Sequence, residues 1–231
     1  MRIVQPSFEI LAYTPEMTKV IERGIRTAYK SEDKIEEGSD IEIIGRIKNF
    51  KHESTLEHAA ITVHFVTDRG VTHELVRHRI ASFTQESTRY CNYGKGKFGN
   101  EITVIEPFFY VNKQYDETVG PSEYWLWEES CKTAEKMYLM LLATGSKPQE
   151  ARSVLPNSLK TEIVVTANVR EWRHIMALRT SKEAHPQIRQ IMVPLAWELA
   201  KRWPILFAEW KDVEHECPAA QIINDIKTEE K

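Results

Sequence analysis

Arg77-His78-Arg79-Ile80-Ala81-Ser82-Phe83-Thr84-Gln85-Glu86-Ser87-Thr88-Arg89-Tyr90 gathers guanidinium groups, an amide and hydroxyls into one short piece of chain. Arginine suits phosphate because its planar fork donates two parallel charge-assisted hydrogen bonds, and Gln85 with Ser87 could complete a cradle for a phosphate and a planar heterocycle. The same residues admit a plainer reading. Val71 to Ile80 has helical spacing, so the Arg-His-Arg triplet falls near a helix end, where cations suit the dipole, and the chain then enters a polar loop. Residue chemistry alone leaves both open: an anion site, or a solvated, salt-bridged surface.

The rest of the chain narrows the choice of class. Its 231 residues, 42% hydrophobic and 28% charged, suit one soluble globular catalytic domain, expected over residues 1–217, with a polar and frayed tail at 218–231. A formal net charge of -3 argues against a surface built to hold nucleic acid and requires any anion to be bound locally. Cys91, Cys131 and Cys217 are widely spaced and form no C-x-x-C pair, which fits a reducing cytoplasm and suggests neither a disulfide framework nor a zinc site. No run approaches the roughly 20 apolar residues that cross a bilayer, so no membrane insertion is expected.

Working outward from the triplet, the sequence predicts an α+β fold with a mixed or antiparallel sheet and several helices. Thr14-Pro15-Glu16 reads as a helix start, with the helix running to about Tyr29, and Ile41 to Phe50 carries a weaker helical pattern. Ser54-Thr55-Leu56-Glu57 fits a capping box. In Ala60 to Thr67, Ile61, Val63 and Phe65 alternate with Thr62, His64 and Val66, the period of a strand, before Asp68-Arg69-Gly70 turns the chain. Tyr93 to Asn100, rich in glycine, reads as a loop, and Glu101 to Glu106 as a strand. Ser122 to Ala143 is an amphipathic helix closed by Gly145; another helix starts near Pro148 and carries Arg152. Thr161 to Val169 reads as a strand, Arg170 to Leu178 as a helix, and Pro186 to Trp203 as a helix with a kink at Pro194. This order lacks the regular alternation of a doubly wound sheet.

The spacing of the opening stretch, Arg-His-Arg, seven residues, then Ser, resembles the signature of the flavin-dependent thymidylate synthases, and the run continues to match through Arg89-Tyr90. His52-Glu53-Ser54-Thr55-Leu56-Glu57-His58, Ala151-Arg152-Ser153-Val154-Leu155-Pro156 and Asn168 to Arg179 agree in order and content. The resemblance implies methylation of dUMP to dTMP with methylenetetrahydrofolate as carbon donor and FAD, reduced by NADPH, as hydride source. It also implies a homotetramer whose active sites lie where subunits meet.

Residue by residue, the resemblance puts Ser54, Arg77, His78, Arg79, Gln85, Asn168, Arg170 and His174 around FAD, with His52 near its ring system. For dUMP it implies Glu74, Arg77, Gln85, Glu86, Ser87, Thr88, Arg89, Arg152 and Arg179, with Ser87, Arg89 and Arg152 on the phosphate. Arg179 is the expected catalytic residue: a fixed guanidinium against uracil would stabilise the charge that develops as N3 loses its proton. Glu74 departs from the family, which often carries Gln there, and an ionised carboxylate can only accept. For the folate, His52 and Tyr93 are the neighbours the sequence can offer.

Plainer readings stand beside these. Ser87 could be a nucleophile, but no partner base stands at a visible spacing, and phosphate binding suits it better. Cys91 reads as a packed thiol and Trp172 as a packing residue. His52, His58, His64, His73 and His78 are near one another in sequence, yet no H-E-x-x-H spacing occurs, so neither a metal nor a metal-dependent hydrolase is expected. A nucleic-acid module stacking bases on Phe83, Tyr90 and Tyr93 is opposed by the acidic balance of the chain.

Overall fold

The structure, a computed structural model, describes residues 1–111, 120–214 and 221–222. Its strands are β1 (Arg2–Val4), β2 (Ser7–Tyr13), β3 (Ala60–Asp68), β4 (Ala81–Gln85), β5 (Thr103–Ile105), β6 (Lys160–Asn168) and β7 (Gln221–Ile222). Its α-helices are α1 (Met17–Tyr29), α2 (Ser39–Asn49), α3 (Arg69–Leu75), α4 (Glu123–Ala143), α5 (Pro148–Ala151), α6 (Val169–Arg179), α7 (Pro186–Arg202) and α8 (Pro204–Phe207). Five strands form one sheet in the order β4-β6-β3-β2-β7, while β1 and β5 pair in parallel, Arg2 opposite Thr103 and Val4 opposite Ile105. The α+β expectation holds. The two N-terminal strands were not legible in the sequence.

The chain gathers into two compact units, Met1–Ser7 with Phe65–Arg77 and Thr84–Ile163, and Phe8–His64 with His78–Phe83 and Val164–Lys231. Strands β3, β4 and β6 contribute residues to both. In the first unit, Ile102, Val104, Cys131, Tyr138, Ala151 and Leu159 form a core, and Tyr93 joins it with its ring edge-on to Phe98. In the second, Ile61 and Val63 of β3 and Val165 and Ala167 of β6 are buried with α6 residues Trp172, Ile175 and Met176. The period-two alternation is the cause: alternate side chains of a strand face one side, so one face enters the core. Trp172 packs there, fully buried, and donates from Nε1 to the Ile61 carbonyl at 2.9 Å. Most of α7 is also buried, including Arg189, which donates to the carbonyls of Thr180 and Glu214, and the helix runs on through Pro194.

Local signals were read wrongly where a distant partner competes for them. Thr14 does not cap α1, which starts at Met17 after Glu16 in the left-handed region. Its hydroxyl accepts from the Ala60 N–H at 3.0 Å, and its own N–H donates to the Ala60 carbonyl. Ser54 to Glu57 is not a capping box but part of a 3-10 turn, Glu53–His58, without a side-chain cap. Glu57 instead meets Arg170, 113 positions away, at 2.6 Å. Asp68-Arg69-Gly70 starts a helix rather than a bare turn, because Asp68 Oδ1 accepts from the Val71 N–H at 2.7 Å.

The expected helix through Ile80 ends at Leu75, and the expected polar loop is partly strand β4. Ile80, which completed the helical pattern, is 71% exposed beyond the end of the helix. Extended backbone instead reaches the sheet, and past β4 the Glu86 N–H donates to the Glu162 carbonyl at 2.8 Å. Ser122 and Gly145 bound α4 as expected: Ser122 Oγ accepts from Trp125, and Gly145 takes φ 98, which glycine adopts without strain. Arg152 falls one residue after α5, in the 3-10 turn Arg152–Val154. Cys217 lies outside the described residues, as does the expected tail apart from Gln221–Ile222, which form strand β7 at the edge of the five-stranded sheet where a frayed end was expected.

Candidate active site

The first unit holds most of the residues expected around the nucleotide. Glu74 lies in the last turn of α3, half-buried, and Arg77 follows on an exposed turn, its N–H donating to the Glu74 carbonyl. Gln85 ends β4 with its side-chain amide against the buried hydroxyls of Thr72 at 2.9 Å and Thr161 at 3.3 Å. Ser87 turns the chain, its carbonyl accepting from the Tyr90 and Cys91 N–H groups and its Oγ from the Arg89 N–H. Arg152 arrives from 64 positions away to donate to Thr88 Oγ1 at 3.2 Å, and Arg89 lies exposed over the Tyr90 ring. The turn thus carries two hydroxyls and the Arg89 guanidinium, and Arg152 reaches it from another segment, donors of the kind that suit a phosphate.

Glu86 is held differently from the expectation. Its carboxylate accepts from the Tyr93 hydroxyl at 3.0 Å and from Lys160 Nζ at 3.3 Å, and the side chain is 13% exposed. Burial first, then the Glu86 carboxylate, pushes the Tyr93 phenol above its usual range, so it stays a proton donor to Glu86. Tyr93 is 4% exposed and belongs to the core, which removes it as a surface neighbour for a folate. Lys160 was missed because it opens a strand without a motif. Arg69 was also missed: its Nη1 is buried without a hydrogen-bond partner among the described residues, and it lies close enough to Tyr93 to act on its charge. The sequence offered only its place beside a turn as a signal.

The second unit holds most of the residues expected around the flavin. Asn168 caps α6, accepting from the Glu171 N–H at 2.8 Å, so its amide nitrogen remains the group it can turn to a ligand. Helical spacing places Arg170 and His174 on one side of α6, and both line, with Asn168, an open cavity of about 590 Å³. Ile80, Ala177 and Trp210 give that cavity apolar surface, and Glu57 pairs with Arg170 at its edge. His52 lines a different groove with Tyr29 and Phe50, while Ser54 and Arg79 are exposed.

His78 and Arg179 meet although 101 positions separate them: Arg179 Nε donates to His78 Nε2 at 3.0 Å. His78 is 4% exposed, and burial, then the charges of Arg179 and His174, lowers its pKa from 6.5 to about 4. It is therefore neutral at pH 7. Because Nε2 accepts, the proton sits on Nδ1, which faces Glu171 Oε1 at 3.5 Å. His78, Glu171 and His174 present ligand atoms within 4.8 Å of one another, a set able to hold a cation. That use is opposed by the protonation of His78, whose Nδ1 toward Glu171 carries the proton while Arg179 occupies the Nε2 lone pair.

The chain matches the model of the Thy1 family, thymidylate synthase complementing protein, over residues 9–205. It is 33% identical over 174 residues to the flavin-dependent thymidylate synthase of Pyrococcus abyssi (strain GE5 / Orsay), covering 75% of this chain and 68% of that one. Thymidylate Synthase X (ThyX) from Helicobacter pylori, solved with FAD and dUMP, is similar at TM-score 0.70 and 26% identity over 89% of this chain and 99% of that chain. The UMP/dUMP methylase PolB from Streptomyces cacaoi, solved with 5-Br dUMP, shares the fold at TM-score 0.74 and 22% identity, covering 94% of this chain and 100% of that chain.

Proposed function

The chain belongs to the Thy1 family of flavin-dependent thymidylate synthases, and from that premise we propose that it converts dUMP to dTMP by reductive methylation, with methylenetetrahydrofolate as carbon donor and FAD reduced by NADPH as hydride source. The observation that carries the site assignment is the meeting of Arg179 with His78 of the Arg-His-Arg triplet. It joins two matched blocks of sequence at the residue assigned to the chemistry.

Arg89, Arg152 and Ser87 hold the nucleotide phosphate, with Thr88 orienting Arg152 through its hydroxyl. Gln85 and Glu74 accompany the sugar and base, and Glu86 acts through its place in the turn, since Tyr93 and Lys160 occupy its carboxylate. Arg179 faces uracil. Its permanently protonated guanidinium stabilises negative charge as N3 loses its proton, which makes C5 a better carbon nucleophile. His78 accepts from Arg179 as a neutral imidazole, so that contact leaves the guanidinium charge intact.

The cavity beside α6 is the place for FAD: Asn168, Arg170 and His174 offer polar donors, Ile80, Ala177 and Trp210 offer surface for planar rings, and the carboxylates of Glu57 and Glu53 at its wall are paired with Arg170 and Arg173. The flavin supplies hydride chemistry that no side chain can. The enzyme works as a homotetramer with active sites at subunit contacts; Trp125, Leu126 and Met140 of α4, 45%, 49% and 52% exposed, support a subunit contact on that helix. Its place is the cytoplasm, a reading supported by three widely spaced cysteines without a C-x-x-C pair.

Arg179→Ala is expected to lower turnover by about 10²-fold or more, the scale of losing a donor to developing charge. FAD retention, read from the visible spectrum, should change by less than about twofold. Equal loss of both would make Arg179 structural. A colourless protein that FAD cannot reconstitute would overturn the flavin assignment.

A further inference from the structure

Glu171 lies in a block that carries the resemblance but is given no role by it, yet it is 7% exposed in the first turn of α6, beside the catalytic machinery. A carboxylate so buried requires a polar partner, and the Nδ1 edge of His78 lies 3.5 Å from its Oε1. Glu171 and Arg179 stand at opposite ends of α6. At 1.5 Å per residue they are separated by about 12 Å along the axis, too far for the carboxylate to hold the guanidinium itself. His78 comes from outside the helix and spans the gap, with Nδ1 toward Glu171 and Nε2 toward Arg179 Nε.

We propose that Glu171 is a positioning residue for Arg179, acting through His78. The carboxylate holds the imidazole as the Nδ1–H tautomer, which keeps Nε2 an acceptor for Arg179 Nε. An imidazole with its proton on Nε2 would present a donor to a donor and push the guanidinium away. Because the guanidinium is planar, fixing Nε on His78 also fixes the plane in which its terminal amino groups meet uracil. Loss of that orientation lowers the rate without removing a substrate contact. The proposal rests on the reading of Arg179 as the group that activates uracil.

The test uses the full-length flavin-loaded protein labelled with nitrogen-15 at histidine, in wild type, Glu171→Gln and Glu171→Leu. The His78 signals are identified by their loss in His78→Gln. In wild type at pH 7, His78 should be neutral with its proton on Nδ1. Glu171→Gln keeps a carbonyl acceptor and should retain that tautomer, with kcat within about threefold of wild type. Glu171→Leu should shift the proton toward Nε2 and lower kcat about tenfold or more, with KM for dUMP and FAD affinity within about twofold.

A wild-type proton on Nε2 would overturn the proposal, as would a Glu171→Leu protein with unaltered tautomer or unaltered kcat. If that variant does not fold, the wild-type tautomer and Glu171→Gln still decide. The tautomer is read without substrate, so its failure is distinct from failure of the dUMP reading, which Arg179→Ala tests separately.

Discussion

His78 shows how burial converts a side chain from one use to another. In the sequence it sits between two arginines and suggests a cation at a helix end, whereas the fold buries it and lowers its pKa to about 4. The unfolded chain returns it to about 6.5, so between these values the unfolded state binds more protons. Stability from the neutral imidazole is thus fully present above pH 6.5 and is lost as pH falls toward 4, by at most about 3 kcal/mol. Urea midpoints should fall more steeply from pH 7 to pH 5 in wild type than in His78→Asn; equal slopes would contradict a depressed pKa. Of the residues expected at the site, Ser87 is marked in the sequence by motif spacing, and Arg152 and Arg179 by the blocks that resemble the family. The roles of Glu171, Lys160 and Arg69 were not legible there, since what distinguishes them is burial and partners from distant positions, which a linear pattern does not carry.

At the scale of elements, the reading succeeded where one segment contains its own instruction. Strands β3 and β6 announce themselves by alternation, and α4 by Ser122 at one end and Gly145 at the other. It failed where two segments share one: Thr14 is taken by Ala60, and Glu57 by Arg170. Strand β4 was hidden because its residues alternate between half-buried and exposed and give no strong apolar face. Helix α3, only seven residues long, depends on its Asp68 cap and on packing, because an isolated helix of that length is unstable. Asp68→Ala should cost about 1 kcal/mol and lower the melting temperature by about 2–4 °C in calorimetry. An unchanged melting temperature would show that packing alone fixes α3.

For the whole molecule, the two compact units share out the expected site residues, most of those expected on dUMP in the first and most of those expected on FAD in the second, with Arg179, expected on dUMP, in the second and Gln85, expected on both, in the first. The first carries Glu74, Gln85, Ser87, Thr88, Arg89 and Arg152, and the second carries His78, Asn168, Arg170, His174 and Arg179. The triplet itself is divided, Arg77 in the first unit and His78 and Arg79 in the second. Arg77, expected toward both nucleotide and flavin, thus parts within one short segment from His78 and Arg79, expected toward the flavin alone. The α+β class was legible because strand and helix periods come in an irregular order, but the division into units depends on which strands pair, and that is a property of the folded chain. The central claim is tested most directly by release of tritium from C5 of labelled dUMP. Release should require methylenetetrahydrofolate and NADPH together, with FAD bound, and should yield dTMP; no release under those conditions, or equal release without the folate, would contradict it.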